Sequence, residues 1–346
     1  AFPHDYSDLF ALIGIIKEVT MPNKNEETIN DNWKRGSHDN SGSYLEKRND
    51  SPADERQKRE ESGIQNISSV GPEPADLITQ VGTERISGSL HNVSEPARRR
   101  DGIIADESVI TGIYSGLQKI GVGDGVRILE PASGIGHFAG MLPFQADMTL
   151  NELDSISSRI SRQLYPEFTT IHQGFEKFRA PRDYFDVAIG NPPFGDFRVN
   201  DPQNPQISRF SIHNFFIAKS LDSLRAGGVT AMVVSRFFMD SKNSEHREYI
   251  AERAHFLGAI RLPNSAFKQN ALTTVTTDIV FFQKAQLGEE TERGWIDTDF
   301  VRCATTNEPI AVNAWFVNHP EQMIGQMQLE SRAFGNSPQC VAAQDL

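Results

Sequence analysis

The chain has 346 residues, 38% hydrophobic and 23% charged, which fits a soluble protein with one sizeable core plus extra segments. A formal net charge of −12 disfavours a broad electrostatic grip on nucleic acid but leaves room for a local basic cleft. Two cysteines, Cys303 and Cys340, stand far apart without metal-ligand spacing, so no disulfide framework is expected and a reducing, intracellular setting is.

The early apolar run "LFALIGII", residues 9–16, is too short to span a bilayer. The acidic "PHDYSD" precedes it where a signal peptide carries basic residues. It is expected to dock as a short helix or strand, with no membrane segment and a cytoplasmic location. The chain opens on Ala rather than Met, as a processed product would. From about residue 20 to 100 the sequence is polar, rich in Asn, Ser, Glu and Lys, with almost no apolar periodicity. Such a stretch cannot bury enough surface to offset its ordering entropy. Residues 1–95 are therefore expected to be largely irregular, or ordered by a partner. "EPARRR", residues 95–100, is the densest basic cluster, a solvated surface or a phosphate contact.

From residue 103 apolar runs alternate with helical stretches. "DESVITGIYSGLQKIG" places apolar residues at 109, 110, 113, 114, 117 and 120, a helix that Gly121 can end. "VRILEPASGIG" reads as a strand entering a Gly-rich turn, and "HFAGML" as the opening of the next helix. "MTLNELD", "TTIHQG" and "YFDVAIGNPPF" read as three further strands, with helix "SISSRISRQLY" after the first of them. Then come helix "IHNFFIAKSLDSLRAGG", strand "VTAMVVS", helix "SEHREYIAERA", strand "FLGAIRLP" and strand "TTVTTDIVFFQKA". This alternation predicts an α/β fold around a parallel, doubly wound, Rossmann-like sheet. Residues 96–285 form its domain, and 286–346, with "GWIDTDFV" and "NAWFVNHPEQMIGQM", a small C-terminal extension.

Ligands of open α/β sheets bind at the carboxyl ends of strands. Three polar stops fall at such ends. In "LEPASGIGHFAG", Gly134 and Gly136 permit a tight turn and close backbone approach to a ligand. The spacing is not the dinucleotide fingerprint G-x-G-x-x-G, because the next glycine is Gly140. Glu130 and Pro131 ahead of the turn suit a ligand carrying positive charge. Glu152 in "NELD" can accept from ribose hydroxyls or cap the next helix, with Asp154 the better cap. In "GNPPF", Pro192 and Pro193 remove two donors and fix two φ angles, so Asn191 is held extended. Together the three stops describe a site for a cationic nucleoside beside a flat polar group, which S-adenosylmethionine fits.

With these motifs in view, residues 101–285 resemble the amino-methylating DNA methyltransferases, whose signature is Asn or Asp, Pro, Pro and an aromatic. More closely they resemble the adenine-N6 module of phage and plasmid methyltransferase-helicase proteins. The resemblance is carried in order by "VRILEPASGIGHFAG", "NELDSISSRISRQLYP", "FDVAIGNPPFGD", "IHNFFIAKSLDSLRAGGV", "SRFFMD", "FLGAIRLPNSAF" and "TTVTTDIVFFQK". It implies a seven-stranded S-adenosylmethionine-dependent sheet, with Asn191, Pro192, Pro193 and Phe194 as the catalytic tetrapeptide. It also implies cofactor contacts from Glu130, Pro131, Ala132, Ser133, Gly134, Gly136, Glu152, Phe175 and Asn191. Where the family often carries an acid before a Phe after strand three, this chain reads "QGFE", with Gly174 in the acid's place; either Glu176 replaces it or packing holds the adenine.

The chemistry follows from the residues. An exocyclic adenine amine is a poor nucleophile because its lone pair is delocalised into the ring. The Asn191 side-chain oxygen and the Pro192 carbonyl can accept from both N–H groups and localise that lone pair, and two prolines keep these acceptors rigid. Phe194 can stack on the base. In-line positioning of the methyl group is then the remaining task, with no metal or covalent nucleophile required. A base in a duplex is inaccessible, so the DNA would be flipped or single-stranded there. Arg198, Arg209, Arg236, Arg261 and Lys268 are the candidate backbone cations, each also readable as plain surface. His172, His213, "NFF" and "RFFMD" read as surface or packing residues. The expected partners are DNA and a protein partner or fused helicase that supplies targeting. The competing readings are methyl transfer to RNA or a protein glutamine amide, a nucleotide-binding oxidoreductase, and a non-catalytic scaffold.

Overall fold

A computed structural model describes residues 107–266, 275–332 and 335–342. The expectations for the N-terminal apolar run, the polar stretch, "EPARRR" and Lys268 lie outside these residues. No helix among the described residues is long and apolar enough to cross a membrane.

The described chain opens with α1 (Glu107–Lys119), whose Val109, Ile110, Ile113, Tyr114 and Leu117 are buried. Gly121, at φ +90°, follows it in the left-handed conformation that ends helices. Then come β1 (Val126–Glu130), the short α2 (His137–Gly140), β2 (Ala146–Glu152), α3 (Ser155–Leu164), β3 (Thr169–His172) and β4 (Phe185–Gly190). Asp154 caps α3, its carboxylate accepting from Ser157 N at 2.7 Å. After a long loop come α4 (Ile212–Ser223), β5 (Leu224–Ser235), α5 (Phe237–Asp240), α6 (Glu245–Ala251), β6 (Ala254–Leu262) and β7 (Thr277–Lys284).

These seven strands form one sheet in the order β3-β2-β1-β4-β5-β7-β6. Strands β1 to β5 pair in parallel, as their crossover connections require. The expectation of an all-parallel sheet is corrected at its far edge, where β7 runs antiparallel to both β5 and β6.

Strand alternation feeds two cores. Val187 and Ile189 of β4, Val229, Ala231 and Val233 of β5, and Ile279 and Phe281 of β7 join α1 on one face. Ala188, Met232, Val234, Val280 and Phe282 point the other way, toward α4 and α6. Burial on both faces explains why β4, β5 and β7 read as continuous apolar runs.

The residues beyond β7 build two antiparallel pairs, β8 (Thr298–Arg302) with β9 (Pro309–Asn313) and β10 (Gln326–Arg332) with β11 (Gly335–Val341). Helix α7 (Ala314–Asn318) lies between the pairs. This part is fastened to the sheet: Trp295 is 1% exposed and stacks on Phe256 at 4.7 Å, and Trp315 Nε1 donates to Ala259 O at 3.2 Å. Asn264 N likewise donates to Cys340 O at 2.7 Å.

Candidate active site

The sheet changes direction of winding between β1 and β4, the crevice where open α/β sheets hold ligands. Glu130 ends β1 there. It is 1% exposed, and its Oε2 has no hydrogen-bond partner. Burial first, then the neighbouring Glu152, push its carboxyl well above the ordinary value. Ser133, also buried, leaves its Oγ without a partner.

The turn after β1 is tied to β2 by three bonds. Gly134 N donates to Glu152 Oε2 at 2.7 Å, Ser133 N to Asn151 O at 3.0 Å, and Asn151 Nδ2 to Pro131 O at 3.1 Å. Gly134 and Gly136 take φ of +55° and +92°. A Cβ on Gly134 would meet nothing within 4 Å, so open space lies above this turn, whereas one on Gly136 would strike the Tyr165 ring. Ala132 is half-buried beside the core. Glu152 also accepts from Asp154 N at 2.7 Å; burial still raises its carboxyl, against these bonds.

Gly190, at φ +151°, places β4's end against β1's end: a Cβ there would lie 3.6 Å from Pro131 Cδ and 3.7 Å from Glu130 Cγ. The tetrapeptide begins at the next residue after this contact. Asn191, Pro193 and Phe194 are half-buried and Pro192 is buried. Phe194 packs on the α1-side core and meets the His213 ring edge-on, centroids 6.3 Å apart.

A second set of bonds fastens the loop that follows. Asp201, fully buried, receives Lys219 Nζ at 2.6 Å, Asn204 Nδ2 at 2.9 Å and Arg179 Nη2 at 3.2 Å. Burial alone would raise the Asp201 carboxyl, but these donors hold it below its ordinary value. Lys219 also donates to Glu176 O at 3.1 Å, joining this loop to the one after β3. Sequence reasoning missed Asn151, Asp201 and Lys219. A lysine within the apolar helix "FFIAKSL" was the available signal of a buried partner.

Several expectations shift. Phe175 is 2% exposed, its ring between Phe178 at 5.5 Å and Phe216 at 4.8 Å, which makes it a core residue. The Glu176 carboxylate folds back over Gly174, into the space a side chain at 174 would take. Arg261 is corrected from a candidate phosphate contact: it is fully buried and bidentate with Asp278 at 2.8 and 2.9 Å, and bonds Asp240 at 2.9 Å. Arg236 is corrected likewise, 9% exposed and paired with Asp240 at 3.6 Å. Arg209 is exposed and paired with Glu245 at 2.9 Å. Arg198 is exposed and makes no ion pair among the described residues. His172 is exposed, its Nε2 3.0 Å from Leu153 O. "NFF" and "RFFMD" are core as expected, except Phe237, which is 56% exposed.

The strand order, the Gly-rich turn after β1, the acid after β2 and the tetrapeptide after β4 define the fold of class I S-adenosylmethionine-dependent methyltransferases. A structure described as such an enzyme, from Listeria monocytogenes, superposes with a TM-score of 0.51 at 17% identity, covering 64% of this chain and 71% of that one. Residues 125–267 match the Eco57I restriction-modification methylase family, in keeping with the resemblance carried by the motifs. A relative, the defense against restriction protein B of Escherichia phage P1, is 30% identical over 188 residues. That match covers 53% of this chain and 8% of the phage protein's length. A type I restriction-modification methyltransferase subunit from Streptococcus thermophilus is more distant, with a TM-score of 0.45, 15% identity and coverage of 63% and 52%.

Proposed function

We propose that this chain transfers a methyl group from S-adenosylmethionine to the exocyclic N6 amine of adenine in DNA, with the base flipped out or single-stranded. The observation that supports the reading is that Gly190, the residue before Asn191, lies against Glu130, whose buried Oε2 accepts no hydrogen bond.

The residues at the β1 end fit the cofactor. A buried carboxylate oxygen without a donor, with a likewise unpartnered Ser133 hydroxyl three residues on, is complementary to a cationic, amine-bearing group. The open space over Gly134 lets backbone approach a ligand closely. Glu130 to Gly136 would hold the methionine end, and Glu152 the ribose hydroxyls. Glu176, folded over Gly174, would take the place of the acid usual after strand three. When bound, the cofactor supplies an electrophilic methyl carbon.

The chain's own part is to bind and orient the amine. The Asn191 side-chain oxygen and the Pro192 carbonyl accept its two N–H groups, favouring a tetrahedral nitrogen with its lone pair aimed across the crevice. Rigid acceptors need no reorganisation as charge develops, which is where such sites gain most of their rate. The prolines hold them from one side, and the bonds from Lys219 and Arg179 to Asp201 anchor the loop beyond. Phe194 stacks on the base. Targeting comes from a protein partner or a fused helicase, and the reaction belongs in the cytoplasm with its DNA.

The test is transfer of tritiated methyl from S-adenosylmethionine to unmethylated DNA, RNA and protein, followed by nucleoside analysis. N6-methyladenine in DNA is expected. Label in RNA or protein alone, or cofactor binding without any transfer, would overturn the reading.

A further inference from the structure

Two aromatic side chains that follow the ends of β4 and β5 stay outside both cores. Phe197, three residues past Phe194, is 49% exposed, and Phe237, which opens α5, is more exposed still. Strands β4 and β5 are parallel neighbours, Gly190 pairing with Met232, so both rings follow the carboxyl ends of adjacent strands. Ligands of open α/β sheets bind at those ends. A single apolar side chain in water is ordinary, but two rings each fixed in place at the ligand-binding end are not.

The Phe197 ring lies on Gly195: a Cβ there would come within 2.7 and 2.8 Å of two ring carbons, so the glycine makes its room. The Arg236 guanidinium covers one face of the Phe237 ring at 4.3 Å. Arg236 is itself buried and paired with Asp240, and its amide donates to Thr276 O at 3.1 Å, which makes it a fixed backing. Phe237 N donates to Ser235 Oγ at 3.3 Å. The two segments face each other, because Asp196 and Arg198 border the same cavity as Ser241, whose amide donates to Phe237 O at 3.2 Å. Both rings lie outside that cavity, on open surface.

We infer that Phe197 and Phe237 stack on unpaired bases that neighbour the methylated adenine in the substrate strand. A ring backed by backbone or by a guanidinium presents a flat apolar face. Every nucleobase can stack on it, so the platform adds grip without sequence preference. The exposed aliphatic side chains lie elsewhere: Leu153, Ile156 and Leu164 belong to the β2–α3 part, and Leu287 follows β7 at the opposite end of the sheet. The rings are therefore not part of a mixed apolar patch of the kind a protein partner buries. The bases must be unpaired there, since a paired base keeps its faces within the stack. The inference rests on the proposed reaction for the identity of the strand as DNA bearing the target adenine.

The experiment uses the full chain and a single-stranded oligonucleotide with one adenine, in which each neighbouring position is made abasic in turn. Binding is measured for wild type, Phe197→Ala and Phe237→Ala, with methyl transfer read in parallel. Wild type is expected to lose roughly tenfold in affinity at the stacked positions. Each alanine variant should bind the intact strand about tenfold more weakly and lose nothing further at its own position, the coupling that a double-mutant cycle reads. Phe197→Trp and Phe237→Trp keep the wild-type pattern, and S-adenosylmethionine affinity by calorimetry stays within about twofold throughout. Abasic strands bound as tightly as the intact one, or losses that simply add, would overturn the platform and leave the proposed reaction standing. Coupling without methyl transfer to any oligonucleotide would support the platform and overturn the proposed reaction. Altered self-association of the alanine variants with unchanged oligonucleotide binding would assign the rings to an interface between copies and overturn the inference.

Discussion

The amide of Gly134 donates to the carboxylate of Glu152 over 2.7 Å, so the turn after β1 and the acid that ends β2 are one unit. The second oxygen of Glu152 accepts from Asp154 N, which leads into α3. One side chain thus shapes the cofactor turn, starts a helix and is left with lone pairs for a ligand. Glu152→Ala strips two backbone amides of their acceptor. It is expected to cost about 1–3 kcal/mol of stability in denaturant melts. It should also weaken S-adenosylmethionine binding at least about tenfold, the loss of one charge-assisted contact. Unchanged affinity by calorimetry would remove Glu152 from the site.

Glu130 is predicted to trade stability for binding. Its carboxyl is raised above the ordinary 4.5 by burial and by Glu152, so the folded state holds the proton more tightly than the unfolded one. The resulting stability is complete below the unfolded value and is lost as pH rises through the folded value. Glu130→Gln avoids that loss. Its melting temperature should exceed that of wild type at pH 8, with the gap closing toward pH 4, while cofactor affinity falls. A variant less stable than wild type at pH 8 would contradict the assignment.

Arg261 is predicted to matter for folding and not for DNA. Its guanidinium lies over the Phe316 ring at 4.3 Å and bonds Asp278 and Asp240, while Asp240 Oδ1 also accepts from Asn313 N at 2.9 Å. Burial opposes its charge, but the two carboxylates outweigh that and hold it protonated. Removing one member of such a group leaves an uncompensated buried charge. Arg261→Ala should therefore cost roughly 3–5 kcal/mol. The salt dependence of DNA binding, measured below the variant's melting temperature, should be unchanged; a slope reduced by one would mean a phosphate contact.

That network marks the limit of what the sequence makes legible. The strand series and both core faces follow from local periodicity, and Asp154 as cap and Asn191 as a rigid stop follow from short-range backbone chemistry. The direction of β7, antiparallel to both β5 and β6, lies beyond such local signals. Arg261, Asp278 and Asp240 each interrupt an apolar run, which signals buried partners but not which ones. Arg261 meets Asp278 through the register of β6 on β7, and Asp240 through the packing of α5, neither of which a local pattern encodes. The packing of Phe175 was hidden likewise: its position matches a motif, while Phe216 of α4 covers its ring.

Two buried histidines are predicted to add to the acid sensitivity of the fold. Burial pushes His213 down to about 4 and His246 to about 3, the latter against a bond to Phe238 O at 2.8 Å. Both stay neutral in the folded state. Their contribution is complete above the ordinary 6.5 and is lost as pH falls through those values. His213→Leu, which replaces an unbonded ring with an apolar group, should leave the melting temperature at pH 7 unchanged or higher. The fall in melting temperature between pH 6 and pH 4 should be shallower than in wild type. An identical fall would show that His213 carries none of the acid sensitivity.

The central claim is that Asn191, held rigid beside Glu130, localises the lone pair of an adenine amine. The most direct measurement is single-turnover methyl transfer to adenine-containing DNA by Asn191→Ala, alongside cofactor binding by the same protein. The account predicts a rate lower by about 10²–10³, the usual loss for one preorganised polar contact, with the cofactor still bound. Transfer at the wild-type rate by Asn191→Ala would contradict it.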